Sequence, residues 1–115
     1  MKRKILIVED NIGLSQMQKD WFAQAGYDAV TAMNEPIARS LIQKTTFDLI
    51  LSDVRLPEGD GISLLEWLRK EKKDIPFIIT TEYVSVSDVV RTIKLGAIDY
   101  LPKPVHREHL LELTE

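Results

Sequence analysis

The chain contains no cysteine, so it has no disulfide framework and no zinc–thiolate site, which agrees with a reducing compartment. A strong charge of one sign is also missing. Fifteen basic side chains against eighteen acidic ones leave a formal net charge of -3, which argues against nucleic-acid binding as the main task of this segment. Long apolar runs are absent too. The run near the N-terminus, Ile5 to Val8, is too short for the core of a signal peptide, and no stretch is long enough to span a membrane. The expected location is the cytoplasm, with no membrane partner. What is present is ordinary for a soluble globular domain: 44% hydrophobic and 29% charged residues. The length suits one domain over 1–115. A domain of this size buries roughly 65% of the surface of its unfolded chain and needs no staple.

Short apolar runs alternate with amphipathic stretches along the whole chain. Ile5–Val8, Asp28–Ala32, Phe47–Ser52, Pro76–Thr80 and Ile98–Leu101 read as strands. Between them lie five helical stretches. Leu14, Met17, Trp21 and Ala25 mark the inward face of the first, and Gly26 stops it. Asn34 caps the second, which carries Ile37, Ala38, Leu41 and Ile42 on one face and Pro36 in its first turn. Leu64, Leu65 and Leu68 face inward on the third, and Val89, Val90 and Ile93 on the fourth, capped by Ser85 or Ser87. A last helix starts after Val105 and runs to Glu115. Five βα units with continuous apolar strands predict an α/β fold: a doubly wound, five-stranded parallel sheet with helices on both faces. The working crevice of such a fold lies beyond the carboxyl ends of the strands.

At that edge the first strand ends in Glu9-Asp10, the third in Asp53 and the fourth near Thr80-Thr81; Lys103 follows the fifth, between Pro102 and Pro104. Three carboxylates, a hydroxyl and an ammonium are thus expected to converge. Two like charges about 4 Å apart interact by roughly 4 kcal/mol at an effective dielectric of 20. Such a cluster must take up protons or bind a cation, and a hard divalent ion such as Mg²⁺ suits oxygen ligands. A carboxylate beside that ion can act as a nucleophile toward phosphorus. The turn residues after Asp53, in DVRLPEGDG, keep the backbone open there instead of winding directly into helix.

The motifs ILIVEDN, LILSDVRLPEGDG, FIITTEY and KLGAIDYLPKP, in that order, resemble the receiver domain of bacterial two-component response regulators. The spacings agree as well, 28 residues from Asp53 to Thr81 and 22 from Thr81 to Lys103. The resemblance covers essentially the whole chain and implies a flavodoxin-like strand order, 2-1-3-4-5. It implies Asp53 as phosphoacceptor, and Asp10, Glu9 (mainly through water), Asp53 and the Arg55 carbonyl around Mg²⁺. It further implies Thr81 and Lys103 as phosphoryl ligands, a cis Lys103–Pro104 bond, and Thr81 with Tyr100 as the switch pair. The implied partners are a sensor histidine kinase and a downstream effector missing from this chain. DVRLPEGDG with DYLPKP resembles the nitrogen-regulation class of transcriptional activators, whose effectors are an ATPase and a DNA-binding domain. A homodimer through the fourth helix, fifth strand and last helix is a further expectation.

Some positions depart from the family pattern. Glu9 stands where aspartate is commoner, Val105 where phenylalanine is usual, and Glu82 where a small residue is usual. Glu82 places bulk and charge at the crevice mouth, a possible gatekeeper, and supports a rival reading as a pseudo-receiver, a binding module without phosphotransfer. Retention of Glu9, Asp10, Asp53, Thr81 and Lys103 opposes that reading. A haloacid-dehalogenase-like phosphatase would need an aspartate where Arg55 stands, and EDNIGLS is no nucleotide-binding loop. The domain is expected to be no enzyme beyond catalysing its own aspartyl phosphorylation and dephosphorylation. His106 and His109, and the basic run Lys2-Arg3-Lys4, read as solvated side chains.

Overall fold

A computed structural model describes residues 2–114. The elements in chain order are β1 (Lys4–Val8), α1 (Ile12–Gln24), β2 (Asp28–Ala32), α2 (Glu35–Lys44), β3 (Leu49–Asp53), β4 (Arg55–Leu56), β5 (Gly59–Asp60), α3 (Gly61–Lys70), β6 (Phe77–Thr81), α4 (Val86–Lys94), β7 (Asp99–Pro102) and α5 (Arg107–Thr114). The last helix ends at Thr114, and Glu115 lies outside the described residues. Five strands form one sheet in the order β2-β1-β3-β6-β7, with every pair parallel. This is the predicted flavodoxin-like order once the small β4–β5 pair is set aside. No helix among the described residues is long and apolar enough to cross a membrane.

Strand alternation divides the core into two layers. Leu6, Val8, Ile50, Phe77 and Ile79 face α2 and α3, where Ala38, Ile42, Ile62, Leu64, Leu65 and Leu68 meet them. Ile5, Ile7, Leu49, Leu51 and Ile78 face the other way, against Phe22 of α1 and Leu110 of α5. A strand buried on both sides must be apolar throughout, which is why these segments read as continuous hydrophobic runs.

Side-chain caps set the helix starts. Asn11, Asn34, Asp60 and Ser85 accept from the backbone N–H groups of Leu14, Ile37, Ser63 and Asp88. Three helix faces differ from expectation. The buried residues of α1 are Ser15, Gln18 and Phe22, while Met17 is exposed. On α4 only Thr92 is buried, and Val90 and Ile93 face solvent. Ile37 on α2 is likewise exposed, and the buried Glu35 takes a place beside Ala38 and Ile42. Three of the polar side chains turned inward find a partner, Glu35 among them with the Asp60 N–H. Ser15 Oγ donates to the Ile12 carbonyl, and Thr92 Oγ1 donates to the Val89 carbonyl.

The segment after Asp53 is more ordered than a turn. Arg55 pairs with Asp60 and Leu56 with Gly59 in a two-residue antiparallel ladder, closed by Glu58 at φ 55°. Gly61 lets this hairpin return to the strand end, because a Cβ there would lie 2.2 Å from the Asp53 carbonyl oxygen. Its N–H donates to the Val54 carbonyl at 2.8 Å.

Candidate functional site

Parallel pairing in register carries the polar strand ends to one edge. Val8, immediately before Glu9, pairs with Ser52, and Asp53 with Thr80; Thr81 pairs with Pro102, one residue before Lys103. Glu9, Asp10 and Asp53 each bring one carboxylate oxygen into a group in which all such atoms lie within 4.8 Å of one another. Asp10 is exposed, whereas Glu9 is 3% and Asp53 8% accessible. Lys103 reaches into the gap from the opposite side. Its Nζ donates to Glu9 Oε1 at 2.8 Å and to Asp53 Oδ2 at 2.9 Å. The other Glu9 oxygen accepts from the Asn11 N–H at 3.0 Å, and Asp53 Oδ1 has a long contact, 3.4 Å, from the Arg55 N–H. The Lys103–Pro104 peptide is cis, as expected.

Burial pushes the Glu9 carboxyl above its ordinary range, only partly opposed by hydrogen bonds from Lys103 and the Asn11 N–H. Burial alone would lower Lys103, but its bonds to Glu9 and Asp53 outweigh that effect and raise it above the usual 10.5. The stabilisation from the ammonium is therefore complete below 10.5 and is lost only as pH rises through the higher folded value. Near neutrality Lys103 is the cation of this site. An oxygen-only donor set with one open, solvated carboxylate fits a small hard divalent cation, with Asp10 on the water side.

Both threonines are buried, on opposite faces of β6. Thr80 Oγ1 points to the Ser52 carbonyl at 3.5 Å. Thr81 Oγ1 is held by Tyr83, donating to its carbonyl at 3.0 Å and accepting from its N–H at 3.1 Å. Glu82, between them in sequence, is exposed. Tyr100 is half-buried against the core layer of α2 and α3, and its hydroxyl is buried without a partner. Two contacts at this edge were not anticipated. The Arg55 guanidinium lies 4.8 Å from the centroid of the Tyr83 ring and joins the two loops that flank Asp53. Glu35 accepts from the Asp60 N–H at 3.0 Å. Neither has a sequence signature, because each links residues on separate parts of the chain.

The sequence matches the model of the response regulator receiver domain over residues 5–115. The chain is 33% identical over 113 residues to the response regulator protein PilR of Pseudomonas aeruginosa, covering 98% of this chain and 25% of that protein. It is 35% identical to the transcriptional regulatory protein ZraR of Salmonella typhimurium, covering 99% of this chain and 26% of the relative. The chain therefore spans about a quarter of the length of these curated relatives. Among solved structures, a CheY-like receiver domain from Methanospirillum hungatei superposes with a TM-score of 0.93 at 31% identity, covering 97% of this chain and 90% of that one. The non-phosphorylated HemR receiver domain from Leptospira biflexa gives 0.90 at 35% identity, with coverages of 98% and 91%. With the fold, the acid cluster and the bridging lysine in agreement, the chain belongs to the response regulator receiver domain family.

Proposed function

We propose that this domain is a phosphorylation-controlled switch in which Asp53 accepts a phosphoryl group from a sensor histidine kinase in the presence of Mg²⁺. The carrying observation is Lys103 Nζ bonded to both Glu9 and Asp53 beside three converging carboxylates. A carboxylate oxygen of Asp53 attacks phosphorus. The O–P bond forms as the P–N bond to the donor histidine breaks, and the nitrogen keeps the electron pair. Glu9, Asp10, Asp53 and the Arg55 carbonyl are the residues to hold Mg²⁺, which when bound offsets charge on the phosphoryl oxygens. Lys103 is placed to exchange its carboxylate partners for a phosphoryl oxygen, and Thr81 is the hydroxyl for another. Asp53 is thus an acceptor in a reaction that the domain catalyses only on itself.

The output is a change of packing around Thr81 and Tyr100 that an effector reads. The cavity that Tyr100 lines together with Val89, Thr92, Ile98 and Pro102 supports a second position for that ring. Exposed Val86, Val90 and Ile93 on α4 support the face of α4, β7 and α5 as the contact for a second copy or an effector. The motif resemblance and relatives such as ZraR support an effector that controls transcription, on the nitrogen-regulation pattern of ATPase and DNA-binding domain. Moving a switch from 1:99 to 99:1 takes about 5.5 kcal/mol of differential stabilisation, within reach of new charge-assisted bonds at Thr81 and Lys103 plus the metal.

Intact-mass analysis after acetyl phosphate and Mg²⁺ tests the reading. One base-labile phosphoryl adduct, absent when Mg²⁺ is chelated, is the expected result. No adduct from acetyl phosphate, from other small donors or from a cognate kinase would establish the pseudo-receiver instead.

Glu82 is the proposed gatekeeper of this reaction. Its exposed carboxylate at the mouth repels anionic donors and narrows the entrance. Glu82→Ala should raise the rate of phosphorylation by acetyl phosphate several-fold. Glu82→Gln should recover only the electrostatic part, which salt also weakens. Equal rates for all three proteins at low and high ionic strength would reduce Glu82 to a loop residue.

A further inference from the structure

Among the described residues, Glu35 is the buried acid that the phosphoacceptor chemistry leaves unexplained. It sits in the first turn of α2, away from the strand-end cluster, and is only 5% accessible. A buried carboxylate needs partners, and Glu35 has two. One oxygen pairs with Arg39 one turn later on the same helix. The other, Oε1, accepts from the Asp60 N–H at 3.0 Å. Arg39 is itself fixed from above, with its guanidinium 5.1 Å from the centroid of the Trp67 ring on α3.

The Asp60 N–H belongs to the β4–β5 hairpin, and the hairpin backbone lies directly on the Glu35 side chain. Gly59 has φ 136°, and a Cβ at that position would stand 2.2 Å from Glu35 Oε1. Across the two-residue ladder, Asp60 pairs with Arg55. A ladder of two residues is too short to hold its own register, so something outside it must fix the hairpin. Glu35 does so at the backbone of Asp60, while the Arg55 guanidinium rests on Tyr83.

We infer that Glu35 is a positioning residue for the metal site: its carboxylate, braced by Arg39, anchors the hairpin so that the Arg55 carbonyl is held toward the Asp53 cluster. This rests on the reading of Arg55 as a backbone ligand. Substituting Glu35 leaves every acid of the cluster and Lys103 in place, so a loss of metal affinity would report on hairpin position alone. Loss of the groups that orient a ligand typically weakens metal binding by 10- to 100-fold, and one backbone ligand out of several suggests the lower end, about tenfold.

The experiment is a Mg²⁺ titration of the 115-residue chain followed by amide shifts of residues 53–55. Comparison is made among wild type, Glu35→Ala, Glu35→Gln and Gly59→Ala. Glu35→Ala should weaken Mg²⁺ by about tenfold. Glu35→Gln, which keeps an oxygen for the Asp60 N–H, should restore most of the affinity, a rescue that generic destabilisation would not produce. Gly59→Ala, whose Cβ cannot share space with the Glu35 carboxylate where it stands, should part the hairpin from Glu35 and weaken Mg²⁺ as Glu35→Ala does; it decides the matter if Glu35→Ala gives no dispersed spectrum. Wild-type affinity in Gly59→Ala, or in a folded Glu35→Ala, would overturn the inference alone. Absence of any Mg²⁺-dependent shift near Asp53 in the wild type would overturn the reading beneath it and the inference with it.

Discussion

Asp53→Asn is expected to abolish phosphoryl uptake completely while leaving the fold intact. The amide is nearly isosteric with the carboxylate and still offers Lys103 an oxygen acceptor, so the strand end has no reason to rearrange. It lacks the charge and basicity to attack phosphorus. Intact mass after acetyl phosphate and Mg²⁺ should show the unmodified chain, against one adduct in the wild type. An adduct of equal yield in Asp53→Asn would move the acceptor elsewhere; Asp10, the exposed member of the cluster, would be the first place to look.

Lys103→Met should cost both stability and signalling. Removing one partner of a buried ion pair leaves the other charge uncompensated, and here one ammonium serves two carboxylates that are almost fully enclosed. A loss of about 3 kcal/mol near neutral pH is expected, the lower end for breaking such a pair, because the crevice is open to water at Asp10. The pH dependence gives the cause away. The Glu9 carboxyl is already raised above 4.5 in the wild type, and loss of its lysine partner pushes it further in the same direction. A group with a raised folded-state value loses its stabilising contribution as pH rises through that value, so the deficit of Lys103→Met should be small near pH 4.5 and should open toward neutrality. Urea unfolding of both proteins across that range measures it. Mg²⁺ should recover more stability in the variant than in the wild type, because it supplies the missing positive charge. A deficit independent of both pH and Mg²⁺ would mean that the loss comes from how methionine packs in the crevice and not from the missing charge.

The central strands were legible because a doubly covered strand has no freedom to be polar: Leu6, Ile50 and Ile78 could be read from composition alone. The site residues followed, because the carboxyl ends of parallel strands share one edge, so Glu9, Asp10 and Asp53 could be placed together although they are far apart in the chain. The outer helices were less legible. Reading α4 by its apolar residues pointed Val90 and Ile93 inward, yet Thr92 is the buried one. Periodicity locates an apolar face but not the core, and a helix that offers apolar side chains to a partner carries the same pattern. On α1 the same bias selected Met17 over Gln18, which is the buried one of the two. The β4–β5 hairpin was read as an open turn because its ladder is only two residues long and its register depends on Glu35, a residue twenty-five positions away from Asp60.

The grip of Tyr83 on Thr81 bears on how quiet such a switch can be at rest. Thr81 Oγ1 spends both its donor and an acceptor lone pair on the Tyr83 backbone. To reach any other partner it must give up both bonds, each worth about 1 kcal/mol net. Two such bonds hold the alternative arrangement to roughly 3% of molecules before any phosphoryl group arrives, inside the range usual for minor states. In the proposed switch that fraction would be the background signal. The Tyr83 half of both bonds is backbone, which no substitution of the Tyr83 side chain removes, so the idle output of the proposed switch depends on the path of the chain between β6 and α4.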